Sequence, residues 1–486
     1  MNIFLRYKIK RAEKKRKQIL TKSYICKLIG IPFKGEDEQY TALTYAKSAI
    51  PGSLAAICLE RKTPYAGLTL KRENELADLA MLRGARALLT TRQIKKYPCI
   101  IVQGHVTDGI KTIMREFRKS LDMKAIEITG SYGKSTVTNM LESVFSSNYN
   151  ALGHRGDSLN MFYHTVGRLQ SAAPTVDLFL QEAAEAPHYG VPGDISEIVM
   201  PDIGIITSVG TSHIERMGSK EAILESSMSI ARGIKSNGVL ILNGDDSLLA
   251  DVYTNKNVVY YGITNENVDY KVSDFKQTID GISFSIEHKD ESVPVKMSCV
   301  GKHNAQNAAA AFAAAKCLGM KNEEIVYGLS LYRPEGVRQR LLSDKGYNFY
   351  LDCYNASVET MITSIDTVCN LELPNCGGHR IAVLGDIKQA GDNSEEYHRQ
   401  IGRHVRGSSI DTLICIGEDA CFIADEAKGR EGLMVHIAES HDEIVRYLKA
   451  NTTSSDIIMI KGSNSMRLWE IPGTLIGVDL DPNTGH

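Results

Sequence analysis

Apolar and polar positions follow two rhythms along the chain, short apolar runs alternating with longer stretches of helical spacing. Between residues 25 and 118, SLAAICL (53–59) and CIIVQ (99–103) predict strands. ENELADLAMLRGA (73–85) and DGIKTIMREFRKSL (108–121) predict amphipathic helices. A second unit opens with KAIEITG (124–130) and continues through the apolar runs VDLFLQE, IGIITSVG and GVLILNGDD, with helical stretches between them. NAQNAAAAFAAAKCLG (304–319) predicts a helix from its alanine content alone. A third unit starts near YNFYLDCYNAS (347–357), with RIAVLGD, TLICIGE and DIIMIKGS as buried strands that each end at a glycine or an acid. Strand–helix alternation of this kind predicts α/β domains built on mainly parallel sheets. The divisions read as a basic extension over 1–24 and domains over 25–118, 119–343 and 344–486. In open parallel sheets ligands bind at the carboxyl ends of strands, so those ends are where chemistry is expected.

Composition narrows the class. The 486 residues exceed one ordinary core, and 43% hydrophobic with 23% charged residues is a globular balance. A net charge of −2 provides no global field for nucleic acid, and no nucleic-acid partner is expected. Ten cysteines without a C-x-x-C pair read as reduced thiols, hence a cytoplasmic protein. No apolar run approaches the roughly 18 residues a membrane span needs. The first 17 residues carry eight Lys/Arg and no signal-peptide core. They read either as a solvated, partly helical extension or as a peripheral contact with anionic lipid or a partner.

Four places could carry chemistry. A strand runs into Gly130-Ser131-Tyr132-Gly133 and then a helix at Lys134-Ser135-Thr136, the context of a phosphate-binding loop, although G-x-x-G-K-S is shorter than the common form. Glycines let the backbone approach phosphate, and a helix start offers N–H groups and a favourable dipole. There Lys134 would reach the β- and γ-phosphates, and Ser135 would sit on Mg²⁺. The alternative is a glycine turn with a capping serine. Glu182 ends an apolar strand and could hold magnesium or be a surface acid, and Glu185 competes with it. His213 follows a Gly/Ser/Thr-rich loop, as a ligand or a capping residue. His303 and Asn304 lie at a helix start with Asn307 one turn on; Asn304 reads as an ordinary N-cap or as an amide for an adenine edge.

Their order and spacing make the chain resemble a Mur ligase, the ATP-dependent amide-bond ligases of peptidoglycan precursor synthesis, most closely the branch that adds D-alanyl-D-alanine. TGSYGKST (129–136) fits that family's T-G-[ST]-x-G-K-[ST]-[ST]. PDIGIITSVGTSHIERMGSKEAI, LNGDD, GKHNAQNAAAA, EGVRQRL, DCYNASVETM, RIAVLGDIKQAGDNSEEYHRQIGRHV and IIMIKGSNSMRLWEI follow in the family's order, over roughly residues 120–475. The resemblance implies a small α/β N-terminal domain for the acid substrate, a central phosphate-loop ATPase domain and a Rossmann-like C-terminal domain for the amine, with hinges near 119 and 344. It implies Lys134, Glu182, His213 and Arg338 as catalytic residues, with Ser135, Glu182 and His213 on magnesium. ATP would contact Gly130 through Thr136, Asn304, Asn307, Arg338 and Asp352; Tyr354, Asn355, Lys461, Gly462 and Ser463 would line the substrate side of the cleft. ATP and Mg²⁺ are the implied cofactors, and a UDP-linked muropeptide and D-Ala-D-Ala the implied acid and amine. A monomer is expected.

Two departures stand out. The family's lysine, which becomes a carbamate and holds a second magnesium, is replaced at ESSMSIARGI by Ser227. One firmly held magnesium, with ATP bringing the other, is therefore expected. Where the D-S-R of the uridine site should stand the chain has LTYAKSAIPG, and the following D-G-H segment is replaced by ERKTPYAGLTLKREN. This leaves three readings: a muropeptide ligase, a ligase for a different acid in a specialised pathway, or a degenerate nucleotide-binding regulator.

Overall fold

The computed structural model describes residues 3–58, 68–153, 160–185, 192–212 and 214–482, with side chains from residue 9 onward. His213 and most of the ERKTPYAGL stretch lie outside the described residues. Nineteen strands form three sheets among the described residues. The first is all parallel: β1 (Leu43–Tyr45), β2 (Leu54–Ala56), β3 (Ala87–Thr90) and β4 (Cys99–Ile101), in chain order.

The second sheet contains β5 (Lys124–Thr129), β6 (Ala151–Leu152), β7 (Leu178–Glu182), β8 (Ile203–Ile206), β9 (Val239–Asn243), β10 (Asn257–Gly262), β11 (Tyr270–Thr278), β12 (Gly281–His288) and β13 (Glu291–Met297). Their order is β13-β12-β11-β10-β9-β8-β5-β7-β6, so β5 lies between β7 and β8, and the chain reverses direction across the sheet there. That reversal opens a crevice at the carboxyl ends of three neighbouring strands. The antiparallel β11–β13 addition was not anticipated. Its strands alternate buried and exposed residues, the signature of a sheet with one wet face, rather than forming solid apolar runs.

The third sheet runs β14-β15-β19-β16-β17-β18, from β14 (Arg340–Asp344), β15 (Tyr347–Asp352), β16 (Arg380–Gly385), β17 (Thr412–Ile416), β18 (Met434–Ala438) and β19 (Ile457–Lys461). It begins at Arg340, so the boundary expected at 344 falls inside its first hairpin. β14 and β18 are edge strands, and half-exposed Met434 and Ile437 explain why no buried apolar run marked β18.

The first boundaries also need correcting. Residues 3–19 form a helix, but its end is not a solvated extension. Ile19 and Leu20 are buried, Arg16 donates to the Ala172 carbonyl at 2.7 Å, and its guanidinium lies over Phe117. Ile19, Ile25, Ile110 and Phe117 share one core with Phe162, Val166, Leu169 and Ile195, across the boundary expected at 118/119. Each such fully buried side chain contributes about 1.5–3 kcal/mol. Charge in the sequence concealed this packing, because long basic side chains cover apolar surface with their stems while the heads stay wet.

One core position is unusual. Glu127, in the middle of β5, is fully buried, and among the described residues neither carboxyl oxygen has a hydrogen-bond partner of good geometry. Burial pushes its carboxyl well above the ordinary range, opposed only by the nearby Ser196 hydroxyl. The folded state therefore holds this proton above the pH at which the unfolded chain releases it, and stability falls as pH rises between the two values. Glu127→Gln is expected to match the parent near pH 4 and to exceed it at pH 8, by about 1–3 kcal/mol. Denaturant melts across that range measure it.

Candidate active site

The phosphate loop is shaped by close backbone approach. Gly130 (φ +125°) and Gly133 (φ +86°) both have left-handed backbone. A Cβ on Gly130 would stand 2.3 Å from Thr207 Oγ1, and one on Gly133 2.8 Å from Asn307 Oδ1. No side chain fits at either place, which is why the strand turns into the helix within four residues. The loop is pinned to the segment after β8. Ser131 N–H donates to Ser208 O at 3.0 Å, Tyr132 N–H to Ser208 Oγ at 3.0 Å, and Thr207 Oγ1 to Tyr132 O at 2.5 Å. The helix Lys134–Phe145 makes its first intrahelical bond at Val137 N, leaving the N–H groups of residues 134–136 for an anion. Lys134 Nζ rests on the loop's own Gly130 and Ser131 carbonyls.

Two carboxylates flank the loop. Ser135 Oγ donates to Glu182 Oε2 at 2.9 Å, and Asn160 Nδ2 to Oε1 at 3.3 Å. Parallel pairing of Ile128 with Glu182 puts this acid beside the loop. Glu185 is also buried; it accepts from Ser227 Oγ at 2.6 Å and Ser131 Oγ at 3.4 Å. Burial raises its carboxyl above the ordinary range, against the pull of Lys134 and the two hydroxyls.

The third sheet delivers the opposite wall. Register pairs Asp352 with Lys461 at the carboxyl ends of β15 and β19. Lys461, 1% exposed, donates to Asp352 Oδ2 at 2.5 Å and to the Asn355 carbonyl at 3.1 Å. The Arg338 guanidinium stacks 3.4 Å from the centroid of the Tyr354 ring. A cleft of about 280 Å³ results. From the loop it is lined by Ser131 through Thr136, with Glu182 beside them, and from across the junction by Arg338, Asp352, Tyr354, Asn355 and Lys461. Asn160, Gln339 and Thr360 also line it and were missed. A helix residue and two loop residues of ordinary type carry no local signal. Gly130 shapes the loop from behind.

Three expected residues lie elsewhere. Ser463 is outside the cleft, accepting from Lys388 N–H at 2.8 Å and donating its own N–H to Asp386 O. Asn304 is fully buried and spends its amide on the Val300 carbonyl at 2.7 Å. Asn307 presses its oxygen toward Gly133. Neither faces the neighbouring 670 Å³ pocket; its helix instead contributes Lys302, His303 and Gln306, opposite Thr363, Asp366 and Thr367. The helix turn that buries Asn304 and Asn307 necessarily presents positions 302, 303 and 306 outward.

The two walls are latched together. Thr211 donates its N–H and hydroxyl to Glu359 at 3.1 and 2.7 Å, across the junction and two residues from His213. The residues present fit a nucleotide triphosphate with a hard divalent cation. Free helix amides and a lysine suit phosphate, a Cβ-free loop leaves room for it, and hydroxyl and carboxylate oxygens suit magnesium.

Comparison with known proteins agrees with this geometry. The Mur ligase middle domain matches residues 128–315, and the Mur ligase glutamate ligase domain matches 337–464. The UDP-N-acetylmuramoyl-tripeptide–D-alanyl-D-alanine ligase of Bacillus subtilis is 29% identical over 409 residues, 83% of this chain and 87% of that protein. MurF from Acinetobacter baumannii superposes with a TM-score of 0.77 at 21% identity, covering 94% of this chain and 98% of its own. MurF from Thermotoga maritima, solved with ADP, gives 0.74 at 22% identity, covering 90% and 97%. With its loop, its cleft and two successive family domains in register, the chain belongs to the Mur ligase family.

Proposed function

We propose that the protein is an ATP-dependent, ADP-forming ligase of the MurF type. It joins a carboxylate substrate to an amino acid or dipeptide through an acyl phosphate, in peptidoglycan precursor synthesis. The observation that carries this is the convergence of the phosphate loop and Glu182 with Arg338, Tyr354, Asp352 and Lys461 in one cleft between two domains.

The chemistry starts from a repulsion: an anionic carboxylate must attack an anionic phosphate. Lys134 and the amides of residues 134–136 hold the phosphates and offset their charge. Ser135 and Glu182, with His213 from the adjoining segment, would hold magnesium, which when bound neutralises charge on the transferring phosphoryl group. Arg338, braced on Tyr354, approaches from the third domain. The base of ATP would lie in the pocket opened by His303 and Gln306. The Glu359–Thr211 latch keeps the domains closed and excludes water from an acyl phosphate, which would otherwise hydrolyse. The amine then attacks, and the tetrahedral intermediate collapses to amide and phosphate.

A UDP-linked muramoyl tripeptide and D-Ala-D-Ala are the first substrates to assign. A different acid is the second reading, and one observation favours it. The first domain holds a 1030 Å³ pocket lined by Tyr40, Tyr45 and Ser48, with Glu13, Arg16 and Lys17 of the N-terminal helix forming a wall. We place the protein in the cytoplasm as a monomer; among the described residues no helix is long and apolar enough to cross a membrane. Phosphate release and product mass with the tripeptide and D-Ala-D-Ala test the assignment. The expected result is the pentapeptide product with stoichiometric ADP. ATP cleavage with other acids but not with this one would move the assignment to the second reading. No ATP-dependent amide formation from any acid would overturn the ligase reading.

A further inference from the structure

We infer that Glu185 is a ligand for a second divalent cation beside the phosphate loop, and that Ser227 is the residue that positions it. This rests on the ATP-site reading above but not on the identity of the acid substrate.

Glu185 lies three residues beyond the end of β7, directly behind Ser131. It is 6% exposed. Both of its side-chain donors serve the same oxygen: Ser227 Oγ at 2.6 Å and Ser131 Oγ at 3.4 Å both point at Oε1. Ser131 Oγ accepts the Gly210 N–H at 2.9 Å, which turns its hydroxyl proton toward Glu185. Among the described residues, Oε2 is buried with no hydrogen-bond partner. A shielded carboxylate oxygen without a donor is unfavourable unless a cation or a proton meets it.

The surroundings favour the cation. Ser131 carries Glu185 on one side and lines the nucleotide cleft on the other. Glu182 stands on the same strand end, already paired with the loop hydroxyl of Ser135. Carboxylate and hydroxyl oxygens form the hard donor set that magnesium takes, and magnesium fills its remaining positions with water and phosphate. Among the described residues no three His, Cys, Asp or Glu side chains converge, so a cation here depends on that sharing. Ser227 is fully buried on the helix Lys220–Met228. Its hydroxyl orients a carboxylate brought by the chain after β7. A second cation here departs from the expectation of a single protein-held magnesium: the position that lacks a lysine is used indirectly.

The test is Mn²⁺ binding to the full-length protein with a non-hydrolysable ATP analogue, followed by the electron paramagnetic resonance signal of free Mn²⁺, with analogue binding measured by calorimetry. The parent is expected to take up a second equivalent of Mn²⁺, which Glu185→Gln loses while still binding the analogue. Ser227→Ala is expected to keep both and to loosen the weaker one about tenfold, the usual loss when an orienting partner is removed. Glu185→Gln binding both equivalents at parental affinity overturns the proposal and makes Glu185 a protonated packing group. If Glu185→Gln does not fold, Glu185→Asp decides. It withdraws the charged oxygen by one methylene, so a weakened second site supports the proposal and an unchanged one overturns it. Failure of the parent to bind the analogue would overturn the ATP-site reading itself, a separate outcome.

Discussion

Lys134→Ala is expected to lower ATP turnover by at least about 10³-fold without unfolding the protein. A single preorganised donor to developing charge is worth roughly 10²–10³ in rate, and a lysine on phosphate adds a full charge in a site that closes away from water. The structural cost is small. Lys134 is only part-buried, and its Nζ contacts are two carbonyls of its own loop. Among the described residues Lys134 makes no salt bridge that its removal would break, so the melting curve should stay close to that of the parent. Phosphate release under saturating substrates measures the effect. Turnover within tenfold of the parent would mean that the loop does not hold the reacting phosphates.

The largest stability effect is expected at Asp352. Its carboxylate accepts from Lys461 at 2.5 Å and from Ser364 Oγ at 2.7 Å, and Lys461 is almost wholly out of water. Asp352→Ala strands a buried ammonium, which costs about 3–5 kcal/mol. The double variant Asp352→Ala/Lys461→Met removes both charges and should recover most of that loss, because the penalty lies in the unpaired charge rather than in the absent pair. Activity should not return with stability. Lys461 also holds the Asn355 carbonyl, and Tyr354 next to it is the platform for Arg338. Urea titration, with fluorescence from Trp469 reporting on the third domain, separates the two readouts.

The expected roles of Asp352 and Lys461 thus change in kind. Both line the cleft, as their motifs implied, but they spend their charges on each other. Ser463, two residues beyond Lys461, turns to a different part of the same sheet edge. Residues adjacent in a motif need not face one site, because the direction of a side chain at a strand end depends on how the chain leaves the strand. The same holds on the helix Lys302–Cys317. Its motif located the helix start to within two residues, with Gly301 rather than Asn304 as the N-cap, and helical geometry turned Asn304 into the core and His303 and Gln306 toward the pocket.

The N-terminal helix shows a different limit. Composition marked it as basic and solvated, and its outer face is exposed. What composition could not show was that Ile19, Leu20 and the stem of Arg16 complete a core that includes residues more than a hundred positions away. The antiparallel β11–β13 strands escaped for a related reason, since their alternating pattern is weaker than a solid apolar run.

The sequence by itself determined the local chemistry: the strand–loop–helix around Gly130 to Ser135, the acid ending β7, the alternation that makes three α/β units, and the ordered motifs that mark the family. These are set by neighbours within a few residues, where glycine freedom, helix starts and apolar runs act directly. Only the tertiary structure decided which of these groups meet. It paired Asp352 with Lys461, stacked Arg338 on Tyr354, and brought Ser227 onto Glu185 from 42 positions away. Such contacts arise from sheet register and domain closure, which depend on burying whole faces of the chain at once and leave no mark at any single position.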